Sequence, residues 1–284
     1  MASTILITGA TGNVGCEVVK QLSLSNVNII AGTRNPDKAK AKGWKNVEIR
    51  TFDYDNPDSI AKALEGVDKL FLISPMIHPD NERRLKTTID LAPKAGVSYI
   101  INLAAMGVEH SDNPMHRVEQ YIEKSGIPYT FLRPNWFMQN FVTFLRDPIV
   151  HQQGIFLPAG DAKTSFIDIR DIAAVAVQVL TKDIHKNKAY TLTGPESLDH
   201  NQVAQKINKI SGKSVKYVAL SEDDTRKALL AAGWPEENVT GMLYLYSAVR
   251  AGYVAAVAPD VKNVLGRDPI TFAKFAEDYA ERWK

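Results

Sequence analysis

Residues 4–15 of the chain read Thr4-Ile5-Leu6-Ile7-Thr8-Gly9-Ala10-Thr11-Gly12-Asn13-Val14-Gly15. The first five are apolar or β-branched and lack strict polar alternation, which predicts a strand buried on both faces. Three spaced glycines follow, and residues 17–24 then carry the apolar spacing of a helix. The stretch therefore predicts a strand, a tight turn and a helix in that order, as at the start of a βαβ unit.

The glycines have the spacing G-x-x-G-x-x-G, and each has a predicted task. Gly9 permits a tight turn, Gly12 allows close approach to the backbone, and Gly15 lets the helix pack closely on the strand. The helix would begin with its amide groups facing the turn, which suits the pyrophosphate of a dinucleotide. We expect the contacts to come from Gly9, Thr11, Gly12, Asn13, Val14 and Gly15. The alternative is a purely structural turn.

Five further apolar runs alternate with helix-length amphipathic segments as far as about residue 135. They occupy residues 28–32, 47–52, 69–73, 99–103 and 129–132. Asn35-Pro36 and Asn56-Pro57 each place a capping residue before a proline, which predicts helix starts, and Gly66, Gly96 and Gly126 suit helix ends. The predicted fold is α/β, with a Rossmann-type doubly wound parallel sheet.

Beyond residue 135 the regular alternation of apolar runs and helical segments ends. An aromatic-rich segment starts at Trp136, loops lead to a short apolar run at 164–167, and a helix at about 169–180 precedes a strand at 189–193. We predict a first domain at 1–135 and a smaller, mostly helical region at 136–284 that closes a cleft. Some of its segments, at about 164–193, would return to the sheet.

The composition suits a protein that acts on small molecules. The net charge of +2 gives no basic excess for nucleic acid or anionic membranes, and the single cysteine, Cys16, fits a reducing compartment. No apolar run approaches the ~18 residues of a membrane span. The scattered histidines have no metal-ligand spacing. We expect a cytoplasmic protein with no metal and no nucleic-acid or membrane partner; a homodimer is left open.

The end of the second strand bears on which dinucleotide is bound. An acidic residue there would favour the ribose hydroxyl of NAD, whereas an arginine would favour the 2′-phosphate of NADP. Here Arg34 follows Thr33, and no carboxylate precedes Asp37. We therefore predict a preference for NADP(H), with NAD(H) left open; the alternative is a solvated surface arginine. Asp53, at the end of the third strand, could accept from the adenine amino group or simply cap its loop.

Three further stretches complete a resemblance to a known family. They are Ser125-Gly126-Ile127-Pro128-Tyr129-Thr130-Phe131-Leu132-Arg133-Pro134-Asn135-Trp136-Phe137-Met138-Gln139-Asn140, Phe166-Ile167-Asp168-Ile169-Arg170-Asp171-Ile172-Ala173 and Tyr190-Thr191-Leu192-Thr193-Gly194-Pro195. With the glycine stretch, they resemble the NmrA-like group of atypical short-chain dehydrogenases/reductases, in the branch of quinone, azo-dye and triphenylmethane-dye reductases. Residues 132–138 are also similar to fungal ergot-alkaloid dehydrogenases. The resemblance implies a Rossmann domain, a small C-terminal substrate region and NAD(P)H at the carboxyl edge of the strands.

The wider superfamily passes a proton through a tyrosine that lies four residues before a lysine. None of the ten tyrosines here has a lysine at that distance, and Met115 and His116 stand near the usual lysine register. The missing relay argues against an ordinary alcohol dehydrogenase. His116 remains a candidate proton donor, because histidine titrates near neutrality, although a packed or solvated histidine is the alternative.

Two functions fit these observations. One is a reductase that delivers hydride to a conjugated acceptor such as a quinone, dye or imine, whose reduced form needs little help from a placed acid. The other is an NAD(P)-binding redox sensor of the NmrA type that reports cofactor state to a partner without turnover.

Several residues should lie at the carboxyl edge of the strands, where α/β proteins bind ligands. Ser74 and Ala104 are predicted cofactor contacts, and Met76 and His78 are predicted substrate contacts. An aromatic-rich set follows the sixth strand: Trp136, Phe137, Met138, Phe141 and Phe144. A flat acceptor could stack there, with Trp136 and Phe137 as the best candidates, or the set could be ordinary core. Asp168, Arg170 and Asp171 are predicted to be structural.

Overall fold

The computed structural model describes residues 2–74 and 80–284. The chain divides into two compact units. The first contains the residues up to Pro134 together with Ile169–Thr191, and the second contains Asn135–Asp168 and Leu192–Lys284. The segment that rejoins the first unit begins at Ile169.

The first unit is built on a seven-stranded sheet. Its strands are β1 (Thr4–Ile7), β2 (Asn28–Thr33), β3 (Val47–Thr51), β4 (Lys69–Ile73), β5 (Tyr99–Leu103), β6 (Tyr129–Pro134) and β8 (Lys188–Leu192). They lie in the order β3-β2-β1-β4-β5-β6-β8, and the pairings from β3 through β6 are parallel. The order reverses direction between β1 and β4, and such a switch point is where doubly wound folds bind their ligands.

Helices cover the sheet on both sides. In this unit they are α1 (Asn13–Leu22), α2 (Pro36–Lys40), α3 (Pro57–Leu64), α4 (Asn81–Leu91), α5 (Pro114–Lys124) and α7 (Ile169–Thr181). Apolar residues of α3, α4 and α5 form one core with alternate strand residues such as Leu6 and Ile100. The intervening residues, such as Ile5 and Ile101, are also buried and point to the other side. There α1 and α7 pack on each other, and α7 packs on β5 and β6.

The six strands predicted from apolar runs all form, and so do the helix starts and ends predicted from the Asn-Pro pairs and the glycines. The first helix differs: its pattern was placed at residues 17–24, whereas α1 runs from Asn13 to Leu22. Asn35 and Asn56 cap α2 and α3, accepting backbone N–H bonds of 2.9 Å and 3.1 Å, and the prolines occupy the first helical position. Gly66, Gly96 and Gly126 have φ values of 69°, 89° and 76°, the left-handed conformation of a helix end. The fold-class prediction of a Rossmann-type parallel sheet is confirmed.

The second unit is mostly helical. Its elements are α6 (Arg146–Gln152), β7 (Gly154–Leu157), α8 (His200–Ser211), β9 (Lys216–Ala219), α9 (Glu222–Ala231), α10 (Glu236–Arg250), α11 (Asp260–Leu265) and α12 (Phe272–Asp278). β7 and β9 form a two-stranded parallel sheet. Residues 164–167 form isolated bridges, Thr164 with Leu198 and Ile167 with Phe137. None of the described helices has the length and apolar character needed to cross a membrane.

Candidate functional site

The glycine turn is held by close backbone contacts. Gly9 has φ +57°, and the N–H of Gly12 donates to its carbonyl oxygen at 2.9 Å. A Cβ built on Gly15 would lie 2.4 Å from the same oxygen, which no real side chain tolerates. The first turn of α1 therefore rests directly on the backbone that leaves β1, as the spacing of the glycines predicted.

The start of α1 is suited to an anion. Gly12 occupies the cap position, and Asn13, Val14 and Gly15 form the first turn without an acidic residue. The first amides of any helix lack partners within it, and the helix dipole adds partial positive charge at this end. Gly12 and Asn13 are exposed, so an anion can reach these amides.

The end of β2 leads to an exposed cation, Arg34. Thr33 is buried, and its hydroxyl lies 3.4 Å from the hydroxyl of Thr11 and accepts the N–H of Asn35 at 3.1 Å. These contacts fix the turn that carries Arg34. Arg34 is exposed and makes no hydrogen bond or ion pair with any residue that the structure describes. Its guanidinium is therefore available to a ligand.

Asp53 caps the loop after β3. Its carboxylate accepts the N–H of Asp55 at 3.1 Å, and its own N–H donates to the hydroxyl of Ser59 at 3.0 Å. One of the two interpretations of Asp53, the loop cap, is thus present in the structure. The adenine contact stays a prediction.

Tyr54, to which the sequence assigned no role, joins three strand ends. Its hydroxyl lies 2.6 Å from the carbonyl oxygen of Ile73 and 2.9 Å from the hydroxyl of Thr8, and Thr8 in turn accepts the N–H of Ile73 at 2.8 Å. Burial raises the pKa of Tyr54, so the hydroxyl keeps its proton. The network locks the residue before Gly9 to the end of β4. No pattern in the sequence around Asp53-Tyr54 predicts these hydrogen bonds.

The remaining predicted contacts at this edge lie at the ends of β4 and β5. Ser74 and Ala104 are both half-buried, and the N–H of Ala104 donates to the carbonyl oxygen of Leu132 at 2.9 Å. Because β1 to β5 run parallel, Gly9, Arg34 and Ser74 follow carboxyl ends that share one edge. Met76 and His78 lie outside the described residues.

His116 lies in the first turn of α5. Its Nδ1 is 3.1 Å from the carbonyl oxygen of Ser111, and its Nε2 is 3.5 Å from the side-chain amide nitrogen of Gln120. A carbonyl oxygen can only accept, so Nδ1 carries the proton when this bond forms. Neutral His116 then presents an unprotonated Nε2, and it can donate from that atom only as the imidazolium.

Arg133, which lies in the stretch of residues 132–138, forms ion pairs with two carboxylates. Arg133 binds the carboxylate of Glu119 through two bonds of 3.0 Å and 2.7 Å, and it also pairs with Glu109 at 3.2 Å. Burial raises the pKa of Glu119 in spite of the arginine. The pair fixes α5 on β6, and with it the backbone of His116.

The aromatic set after β6 separates into two kinds of residue. Met138 and Phe141 are fully buried, whereas Phe144 is exposed. Trp136 and Phe137 are half-buried, and the ring of Trp136 lies 4.9 Å from that of Tyr246 on α10, tilted by 35°. Of the five, Trp136 and Phe137 therefore keep surface that a ligand in the second unit could touch.

The backbone of Trp136 is held on both sides. Its N–H donates to the side-chain oxygen of Asn135 at 2.8 Å, and its carbonyl oxygen accepts the N–H of Ile167 at 2.9 Å. The amide nitrogen of Asn135 donates to the hydroxyl of Ser165 at 2.7 Å and to the carbonyl oxygen of Val254 at 2.8 Å. Asn135 thus anchors the segment that follows α10. Asp168 is buried too and accepts the side-chain amide of Gln139 at 2.8 Å.

Within residues 2–74 and 80–284, no group of three or more histidine, cysteine or acidic side chains could hold a metal ion.

Comparison with known proteins points to one family. The model of the NmrA-like family matches residues 1–272. An NAD(P)H azoreductase from Xenophilus azovorans is 35% identical over 283 residues, which cover 97% of this chain and 98% of that protein. Two solved structures agree. The Escherichia coli quinone oxidoreductase QOR2 complexed with NADPH has a TM-score of 0.86 at 29% identity, covering 96% of this chain and 99% of that one. The Citrobacter triphenylmethane reductase complexed with NADP(H) has a TM-score of 0.85 at 30% identity, covering 97% and 99%.

The regulator NmrA in complex with NADP is more distant. Its structure has a TM-score of 0.79 but only 15% identity, so it shows the shared fold alone.

Proposed function

This chain belongs to the NmrA-like family, and on that premise we propose that it is an NAD(P)H-dependent reductase that transfers hydride to a conjugated small-molecule acceptor. The observation that carries the proposal is the glycine turn, where a Cβ on Gly15 would meet the Gly9 carbonyl and the exposed Gly12 and Asn13 begin α1. The similarity to named reductases over nearly the whole chain supports it.

The residues at the edge of the sheet fit a dinucleotide. Gly9, Thr11, Gly12, Asn13, Val14 and Gly15 would hold the pyrophosphate, with Asp53, Ser74 and Ala104 at neighbouring strand ends. The guanidinium of Arg34, exposed and without a partner among the residues that the structure describes, suits a 2′-phosphate and favours NADP(H), while NAD(H) stays a weaker alternative. When bound, the reduced nicotinamide supplies the hydride.

The acceptor class follows from the missing proton relay. No tyrosine is followed by a lysine four residues later, and Met115 and His116 stand near that lysine register. A simple ketone needs general acid catalysis, which typically supplies about 10² to 10⁴ in rate. Hydride addition to a quinone gives a delocalised anion, and hydride addition to a cationic dye gives a neutral product, so neither needs a placed acid to the same degree. The chain should therefore reduce quinones and dyes but scarcely simple ketones.

Two sets of side chains would serve the acceptor. Trp136 and Phe137 offer half-buried rings for stacking, with Met76 and His78 retained as predicted contacts from the sequence. His116 is the proposed proton donor for demanding acceptors, acting as the imidazolium because Ser111 holds its Nδ1 proton.

The second candidate function is an NAD(P)-binding redox sensor without turnover. The missing tyrosine–lysine relay fits a sensor as well as it fits a reductase. The sequence identity to the NmrA regulator is 15%, however, whereas that to the azoreductase is 35%, so the reductase is the better supported function.

Steady-state oxidation of NADPH against quinones, azo dyes, triphenylmethane dyes, imines and simple ketones tests the proposal. We expect turnover with quinones and dyes and little with ketones. The Gly12→Val variant serves as a control that should lose cofactor-dependent turnover. Tight NADPH binding without consumption across the whole panel would contradict the reductase and support the sensor.

A further inference from the structure

Ile73, the last residue of β4, turns its backbone N–H and carbonyl toward the end of β1. Phe71, two residues earlier, faces the same side, and its carbonyl oxygen accepts the N–H of Thr8 at 3.0 Å. The register between the two strands ends at Phe71. At Gly9 the chain leaves this side, since the N–H of Ala10 donates to a carbonyl oxygen of β2 at 3.2 Å. The backbone of β1 therefore turns away before it can pair with Ile73.

Two side-chain hydroxyls take the place of that strand partner. The hydroxyl of Thr8 accepts the N–H of Ile73 at 2.8 Å, and the hydroxyl of Tyr54 lies 2.6 Å from the carbonyl oxygen of Ile73. A phenol has one proton, so while Tyr54 donates to that carbonyl, the Thr8 hydroxyl, 2.9 Å away, can donate to the phenol oxygen. The three residues thus form a closed ring of hydrogen bonds at the carboxyl edge of the sheet.

Tyr54 reaches this ring from a strand that is not a neighbour of β4. It follows β3, and β2 and β1 separate β3 from β4 in the sheet. Its aromatic ring packs edge-on against that of Phe52, with centroids 4.9 Å apart and planes at 84°. The next residue, Asp55, accepts two bonds from Arg84 of α4, at 2.8 Å and 2.6 Å. The aromatic contact and the ion pair therefore hold the phenol in place.

The position of Ile73 in turn limits the position of the glycine turn. A Cβ built on Gly9 would lie 3.6 Å from the Cβ of Ile73, which is ordinary van der Waals contact. Gly9 also follows Thr8, which bonds Ile73, and Ser74 follows Ile73 directly. A shift of Ile73 would therefore be passed to Gly9 and Ser74, the two proposed cofactor contacts next to the ring.

We propose that Tyr54 is a positioning residue for the dinucleotide: by bonding the carbonyl oxygen of Ile73, its hydroxyl holds the glycine turn and Ser74 in the arrangement that binds the cofactor. This inference rests on the proposed function, which places the cofactor at the glycine turn. All the residues that it uses belong to the first unit. Since Tyr54 acts through Ile73, its loss should weaken cofactor binding and leave hydride transfer within the bound complex unchanged.

The test measures NADPH affinity and stability separately in full-length variants. Tyr54→Phe keeps the ring and removes the hydroxyl. Tyr99→Phe is the matched control, because it removes a hydroxyl that lies 2.5 Å from that of Thr130, and Tyr99 begins β5 at the end opposite the carboxyl edge. Both variants should lower the midpoint of thermal unfolding. In calorimetric titrations we expect Tyr54→Phe to bind NADPH about fivefold to thirtyfold more weakly, and Tyr99→Phe to bind it as the wild type does.

Steady-state kinetics and a double variant separate positioning from a general loss of structure. In Tyr54→Phe the KM for NADPH should rise by a similar factor, while kcat with a benzoquinone at saturating NADPH should equal that of the wild type. Thr8→Val removes the other hydroxyl of the ring and should weaken NADPH binding too. The double variant Thr8→Val/Tyr54→Phe should bind NADPH no more weakly than the weaker single variant, because either substitution opens the same ring.

Wild-type NADPH affinity in Tyr54→Phe would overturn the inference, since the hydroxyl would then serve stability alone. Additive losses in the double variant, or a fall in kcat with unchanged affinity, would overturn it as well. If Tyr54→Phe does not fold, Thr8→Val decides by the same criterion. A wild-type protein that binds no NADPH would contradict the proposed function itself, and that result is read on the wild type alone.

Discussion

A Cβ on Gly15 would lie 2.4 Å from the carbonyl oxygen of Gly9, whereas one on Gly12 would lie 3.2 Å from it. The two positions of the turn therefore differ in what a side chain would disturb. Gly15 is required by the packing of α1 on its own turn. Gly12 is exposed and extended, with φ −80° and ψ 176°, a conformation that any residue adopts.

We predict that Gly12→Val abolishes NADPH binding in a folded protein, because the branched side chain occupies the space that the pyrophosphate needs. Gly15→Ala, by contrast, should destabilise the fold by about 1–3 kcal/mol through overpacking. Calorimetric titration with NADPH and chemical denaturation separate the two effects. Wild-type affinity in Gly12→Val, with native circular dichroism, would show that the loop serves only as a turn.

Arg34→Ala should remove the preference for NADPH over NADH. The exposed guanidinium has no partner within the described residues, so a 2′-phosphate would gain a charge-assisted bond that NADH lacks. We expect a preference of about tenfold or more in the wild type. Lys42→Ala removes an equally exposed charge just beyond α2 and should preserve that preference. Equal wild-type affinities for the two cofactors would contradict the prediction.

His116→Ala should slow weak acceptors more than strong ones. Since Ser111 accepts the Nδ1 proton, His116 donates from Nε2 only as the imidazolium. Weak acceptors depend on a placed proton donor more than strong ones, so they should lose more rate in the variant. Steady-state rates with weak and strong acceptors for wild type, His116→Ala and His110→Ala, an exposed control, measure this. A uniform loss with every acceptor would assign His116 a structural role.

A buried histidine should make folding stability pH-dependent. His200 stacks on Tyr217 at 5.1 Å, its Nδ1 has no partner among the described residues, and burial lowers its pKa from 6.5 to about 4, against the opposing effect of Asp199. The folded state thus favours neutral His200, so its contribution is fully present above pH 6.5 and is lost as the pH falls toward 4. Between pH 7.5 and 5 this amounts to about 2 kcal/mol.

Urea denaturation of wild type and of His200→Phe, which cannot titrate, isolates this contribution from that of the carboxylates. The wild type should lose more stability than the variant over that interval. His151→Asn, which removes an exposed histidine, should follow the wild type. Parallel losses in wild type and His200→Phe would refute the assignment.

Much of the first unit is determined by residues that are neighbours in the chain. Apolar runs without polar alternation predicted the parallel strands, Asn-Pro pairs predicted the starts of α2 and α3, and the glycine spacing predicted the contact between Gly15 and the Gly9 backbone. These features depend on side-chain periodicity and backbone stereochemistry over a few residues, so the sequence alone suffices for them.

Only the tertiary structure decided which polar groups meet. The Tyr54 hydroxyl, beyond the end of β3, donates to the Thr8 hydroxyl after β1 or to the Ile73 carbonyl oxygen of β4. The ring of Tyr246, on α10, packs beside that of Trp136, which lies more than a hundred residues earlier in the chain. No local pattern encodes such pairs, because a hydroxyl bonds whatever the packing of the core brings within about 3 Å of it. The fold class and the backbone contacts of the glycine turn were thus determined by the sequence. The hydrogen-bond partner of each buried hydroxyl, by contrast, depended on how the helices and strands pack together.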